Sequence, residues 1–407
     1  MATFSNYPRR KFLAQITAAG TFVLFDPVFS WTTSEIDPRI AAIVAKTIGI
    51  DAHNHVDVPL KATELPGPKV DLAADIKKSG LSAICMTFAV DYQQLKNPGE
   101  AYERFLNGLT AMDAVLAGND MKRALNLADL RTAHENKIPT VIQSVEGAHF
   151  LEGNLDRLDV AYQRGLRHLG LLHDNDASVP LGDVFTNPPK WGGLTKLGAD
   201  TIRKCNELGI LVDLSHGTNE MVNAALKVSK KPVLVSHTGL DTRLGKDEFM
   251  SKMMRPRLIS KEQAKIVADT GGVIGVWTHL ANTPLEYAEN IKAMVDVVGI
   301  EHVCIGTDTK LTMPYRSPSD TFGGPKPQAG GQKPGNDKPG NKNDAKPKGE
   351  GGKRVGERTN EAWQDQKTGF YYTVVEAMLA TGFSEDEIAK IGGGNYCRVF
   401  DAATLKG

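Results

Sequence analysis

Five histidines, a glutamate and an aspartate stand at or just past the ends of β-branched apolar runs. The first run leads into Asp51-Ala52-His53-Asn54-His55. Residues two apart in an extended chain point to the same side, so His53 and His55 can share one metal ion. Other runs end in Ser144-Val145-Glu146-Gly147, Leu171-Leu172-His173, Asp213-Leu214-Ser215-His216, Val235-Ser236-His237 and Gly306-Thr307-Asp308. A histidine at any one strand end is more often a packed or loop residue than a ligand. Five of them together with two carboxylates are hard to reach by chance. Imidazole and carboxylate ligands suit zinc. Two zinc ions bridged by a carboxylate can polarise a carbonyl and make a hydroxide at neutral pH. The remaining histidines, His134, His149, His168, His279 and His302, are assigned to surface or packing. Among these, only His279, just past the seventh run, is placed to reach such a site.

The elements that must gather these residues follow from the apolar pattern. Strand-like runs cover residues 47–53, 82–90, 140–145, 166–173, 210–216, 232–237, 272–277 and 302–307. Helical patterns lie between them, for example at 196–208, 220–228, 261–269 and 287–298. In the first of these, Leu197, Ile202, Cys205 and Leu208 fall near one face, and Gly209 follows as a C-cap. Strands alternating with helices indicate parallel β/α units. Eight units predict an α/β fold of the closed (β/α)8, TIM-like type, whose chemistry sits at the C-terminal strand ends. No G-x-G-x-x-G or Walker sequence follows a strand, so a nucleotide-binding sheet is the weaker option. Extra C-terminal helices at 370–380 and 384–391 close a barrel domain that runs from about residue 40 to 405.

Composition narrows the field further. The chain has 48 basic and 48 acidic side chains, so it lacks the cationic excess of a general nucleic-acid binder. No apolar run reaches the ~20 residues that span a bilayer as a helix. Arg9 and Arg10 precede an acid-free apolar stretch at 12–25, so residues 1–31 resemble a bacterial twin-arginine export signal. A periplasmic or secreted protein, with no transmembrane span after signal removal, is the expectation. Cys85, Cys205, Cys304 and Cys397 form no C-x-x-C pair and read as buried apolar thiols. Residues 316–358 are almost wholly Gly, Pro, Lys, Asn, Asp and Gln, the composition of a disordered low-complexity insertion.

Several longer blocks carry a resemblance. The run Gly193-Leu194-Thr195-Lys196-Leu197-Gly198 and the block from Glu207 through Leu211-Val212-Asp213-Leu214-Ser215-His216 resemble the membrane (renal) dipeptidase family of zinc peptidases. So do Glu146-Gly147, Leu172-His173, Ser236-His237, the Arg255-Pro256-Arg257 loop, and Gly393-Gly394-Asn395 with Arg398-Val399-Phe400. The likeness runs from about residue 48 to 402, the insertion apart. It implies a barrel with two zinc ions. His53 and His55 would hold one, His216 and His237 the other, and Glu146 would bridge them. His173 would contact the substrate and its developing oxyanion, Arg257 would face the substrate, and Asp308 would handle protons. The fixed fork of Arg257 suits a substrate carboxylate.

The substrate implied is a dipeptide or similar small amide, with a D-residue accepted on the C-terminal side. A homodimer is compatible with the resemblance. Two positions depart from the family pattern. His55 replaces the Asp of a His-x-Asp pair, and Lys310 replaces a second Asp two residues after Asp308. These changes predict a more electropositive mouth, a weaker metal at His53 and His55, and a preference for acidic dipeptides. A His-x-His opening also suits the wider amidohydrolase class, and recruitment to metabolite maturation is a further alternative. A metal-free binding module fits least, because Glu146, His216, His237 and Asp308 are all retained.

Overall fold

The computed structural model describes residues 36–318, 363 and 368–405. The export-like segment 1–31 lies outside them, as does the 316–358 stretch beyond its first three residues. Eight strands form one sheet in the order of the sequence, all neighbours parallel. They are β1 Ile50–His55, β2 Ala83–Ala89, β3 Thr140–Glu146 and β4 Leu166–Gly170, then β5 Leu211–Asp213, β6 Leu234–Thr238, β7 Val273–Val276 and β8 Val303–Ile305. Every strand residue is buried. Strands covered on both faces read as unbroken apolar runs, which is why they were visible in the sequence. The expected (β/α)8 class holds.

Local signals set the helices. Lys196–Leu208 starts where the Thr195 side chain accepts from Gly198 N and stops at Gly209, whose φ is 88°. Asn219–Val228, Lys261–Asp269 and Pro284–Val298 each begin at a Thr or Ser that caps in the same way. The last helix, Asn395–Thr404, lies across the N-terminal end of the barrel. Its Tyr396 and Phe400 share a core cluster with Ile50, Ala83, Leu211, Leu234 and Val273, the first residues of their strands. That plug leaves the C-terminal strand ends as the open mouth.

The ladder is thinnest at two seams. β5 and β6 share a single register pair, Asp213 with Leu234. β8 meets β1 through the bridge between Asn54 and Thr309, with His55 N donating to Thr309 O at 2.8 Å. A buried carboxylate reinforces each seam. Asp51 accepts from Thr307 N at 2.9 Å and from the Thr307 hydroxyl at 2.6 Å. Asp213 accepts from Ser236 N at 2.9 Å and from the Ser236 hydroxyl at 2.5 Å. Space for this comes from two glycines: a Cβ on Gly275 or Gly306 would sit 1.8 or 1.7 Å from the Ser236 carbonyl oxygen.

Asp51→Ala strands the Thr307 N–H in a dry interior and removes the acceptor of the Asn54 amide. Urea unfolding should show a loss of roughly 3 kcal/mol, with Asp51→Asn costing less because its oxygen still accepts. A change inside about 0.5 kcal/mol would mean that the seam closes without the carboxylate.

Candidate metal centre

Glu146 ends β3 and projects into the mouth with its side chain only 3% exposed. Imidazoles converge on it from four other elements. Oε1 lies 3.4 Å from His53 Nε2, 2.8 Å from His216 Nε2 and 3.6 Å from His237 Nε2. Oε2 lies 3.5 Å from His55 Nε2 and 3.3 Å from His173 Nε2, yet it has no hydrogen-bond partner. The imidazoles also meet one another: His53 and His55 Nε2 are 3.2 Å apart, and His216 and His237 Nε2 are 3.0 Å apart. The structure thus brings together every ligand expected from the sequence.

The far nitrogens decide which face of each ring is free. The Ser236 hydroxyl has one proton, and its shortest contact is Asp213 Oδ2 at 2.5 Å. Its lone pairs then accept from His237 Nδ1 at 2.9 Å and His53 Nδ1 at 3.2 Å. His216 Nδ1 donates to Asp174 Oδ1 at 3.1 Å, and His55 Nδ1 meets the Tyr92 hydroxyl at 2.5 Å. With Nδ1 of His53, His216 and His237 engaged by these partners, Nε2 is the nitrogen that faces Glu146 and, once deprotonated, is free to ligate. Partners of this kind orient metal-binding imidazoles. A buried carboxylate ringed by imidazoles needs positive charge between them, and nitrogen and oxygen donors in this arrangement fit a metal centre. Three overlapping groups have the right spacing, His53 with Glu146 and His237, His53 with His55 and Asp308, and Glu146 with His173 and His216.

Other groups surround this set. Asp308 follows β8 with Oδ1 3.1 Å from His55 Nε2 and Oδ2 3.0 Å from His279 Nε2. Burial would raise its carboxyl, but His237 and His279 hold it well below the usual range. His279 therefore reaches the site, not merely the packing around it. His173 lies three residues past the end of β4, and His216 three past β5, so both are loop residues where strand ends were expected. His216 and Asp308 have φ of 68° and 54°. His173 Nδ1 is 2.6 Å from Asp91 Oδ1. Burial alone would push this imidazole down; Asp91 and Glu146 outweigh it and raise it to about 10. His237 goes the other way, lowered to about 3 by burial and by His53 beside it.

Arg257 lies in the 3-10 turn Arg255–Arg257, beyond β6. It lines a cavity with His216, His237, Phe185 and Thr238. Lys310 is buried rather than solvent-facing, and its Nζ is 2.5 Å from Asp57 Oδ2, an oxygen that Arg316 Nη1 also approaches at 3.3 Å. Asp91, Tyr92, Asp174 and Ser236 were not singled out from the sequence as functional. Asp91 and Tyr92 sit just past β2, a position equivalent to those that gave the other site residues.

A histidine raised from 6.5 to about 10 on folding binds its proton more tightly in the folded chain. Its contribution to stability is complete below the unfolded value and is lost as pH rises through about 10. Metal-free protein should therefore lose stability between about pH 6 and about pH 10, and Asp91→Asn should lose less over that window. Parallel slopes in urea titrations of the two would refute the Asp91–His173 pairing.

A model of the membrane dipeptidase family, peptidase family M19, matches residues 38–313. An uncharacterized dipeptidase of Schizosaccharomyces pombe is 26% identical over 258 residues, which span 58% of this chain and 60% of that protein. An amidohydrolase from Pseudomonas aeruginosa superposes with a TM-score of 0.67 at 21% identity, covering 90% of this chain and 99% of that one. A metallo peptidase from Rhodobacter sphaeroides, solved with a phosphinate mimic of the dipeptide L-Ala-D-Ala, gives 0.59 at 16% identity, covering 88% and 100%. The two structural likenesses show the barrel fold. The family match extends from the first helix through the strand ends that carry Glu146, the imidazoles and Asp308, and this chain belongs to the membrane dipeptidase family of metal-dependent hydrolases.

Proposed function

We propose that the chain is an exported di-zinc dipeptidase that cleaves dipeptides, including those with a C-terminal D-residue. The observation that carries this reading is the set of imidazole Nε2 atoms facing one buried carboxylate. Nitrogen and oxygen donors of this kind suit zinc. His53, His55 and Glu146 would hold one ion, and His216, His237 and Glu146 the other. The pair would supply Lewis acidity to a scissile carbonyl and to an attacking water.

The side chains then divide the work. Asp308, ionised and anchored by His279, accepts a proton from water as it adds to the carbonyl carbon. The same proton passes to the amine nitrogen as the C–N bond breaks. His173, with Nδ1 bound to Asp91, donates from Nε2 to the carbonyl oxygen as negative charge builds there. Arg257 faces the C-terminal end of the substrate. Acceptance of a D-residue is supported by the dipeptide mimic bound to the Rhodobacter sphaeroides relative. Export is supported by Arg9 and Arg10 ahead of their apolar stretch. His55 in a His-x-His pair favours a second reading, amidohydrolase-like or metabolite-maturation chemistry on a substrate other than a dipeptide.

Metal analysis with a panel of L,L- and L,D-dipeptides tests the first reading. About two zinc ions per chain are expected, with Glu146→Ala losing both metals or nearly all activity. Zinc-loaded protein that turns over no dipeptide would hand the site to the second reading. Export has its own check: changing Arg9 and Arg10 to Lys should leave the protein in the cytoplasm on cell fractionation.

A further inference from the structure

The substrate-facing guanidinium already has a carboxylate. Arg257 Nη2 donates to Asp174 Oδ2 at 2.6 Å, and its plane lies over Phe185, 5.0 Å from the ring centroid. The other oxygen of Asp174 accepts from His216 Nδ1 at 3.1 Å. One side chain thus bridges a group that meets the substrate and an imidazole of the metal centre. It also ties together three segments, those following β4, β5 and β6. Paired with a guanidinium at 2.6 Å and an imidazole at 3.1 Å, this carboxylate is a fixed negative charge.

An anionic end of a substrate approaching Arg257 meets Asp174 as well. It gains attraction from one and repulsion from the other. A neutral end, such as a carboxamide, meets no such repulsion and can still accept from the unused N–H groups of the fork. We propose that Asp174 is a specificity-determining residue: it reduces the advantage of a free C-terminal carboxylate, so small amides with an uncharged end are accepted beside free dipeptides. This inference rests on the dipeptidase reading and refines its substrate class. Through His216, the same carboxylate positions a metal ligand, as carboxylate partners of imidazoles do.

The test compares wild type, Asp174→Asn, Arg257→Gln and the double variant. Each is assayed on a dipeptide and on its C-terminal amide, and each is titrated calorimetrically with a phosphinate dipeptide mimic and its carboxamide. Wild type should use the amide with a kcat/KM within about tenfold of the free dipeptide. In Asp174→Asn the KM for the free dipeptide should fall about fivefold, the scale of a partly exposed ion pair. The KM for the amide should stay within about twofold, and the split should vanish in the double variant. Chelator competition should show zinc held about tenfold more weakly in Asp174→Asn. Free and amide ligands moving together, in KM and in calorimetry, would overturn the proposal and leave Asp174 a structural ion pair. If wild type hydrolyses neither substrate, the dipeptidase reading fails, while binding of the two mimics still decides the role of Asp174.

Discussion

The Ser236 hydroxyl has a single proton to give, and Asp213 takes it at 2.5 Å. Its lone pairs are then committed to His53 and His237, residues that come from the first and sixth strands. This one group fixes two imidazoles from β1 and β6 in a common orientation. It does so at the seam where the β5–β6 ladder has a single pair. Removing the hydrogen bond would loosen the sheet and the site in one step. Fold and chemistry share atoms here, and the buried carboxylate of Asp213 is the anchor for both.

Glu146 gives the arrangement its electrostatic logic. A carboxylate with a 3% exposed side chain is costly in a dry interior unless positive charge surrounds it. Imidazoles answer that need either as metal ligands or as proton carriers. Without a metal, Asp91 and Glu146 keep a proton on His173 against its burial, and Glu146 and Asp174 do the same for His216, while burial and its neighbour His53 keep His237 neutral. The carboxylate 2.6 Å from its Nδ1 suits His173 to donating a hydrogen bond from Nε2.

Most of this was legible in the sequence for a physical reason. Parallel strands buried on both faces leave uninterrupted apolar runs, and Gly209 or Thr195 marks a helix end by local chemistry alone. Strand ends were less legible. β4 stops at Gly170 and β5 at Asp213, because length is set by the neighbouring strand rather than by the run itself. Side-chain partners were the least legible. Lys310 finds Asp57 from 253 residues away, and Asp174 finds Arg257 from 83 away. Asp91 and Tyr92 carry no histidine to draw attention, although they follow β2 as His173 and His216 follow their strands. His279 could be suspected only from its position after β7.

Two residues of the site, His216 and Asp308, hold the left-handed backbone conformation that glycine adopts without penalty. For most other L-residues that conformation costs about 1–2 kcal/mol, and less for Asp and His, which adopt it more readily than most. The loops that present these side chains therefore hold them against a modest strain that glycine at either position would relieve. A library screened only for thermal resistance should enrich such replacements and silently discard the hydrolase.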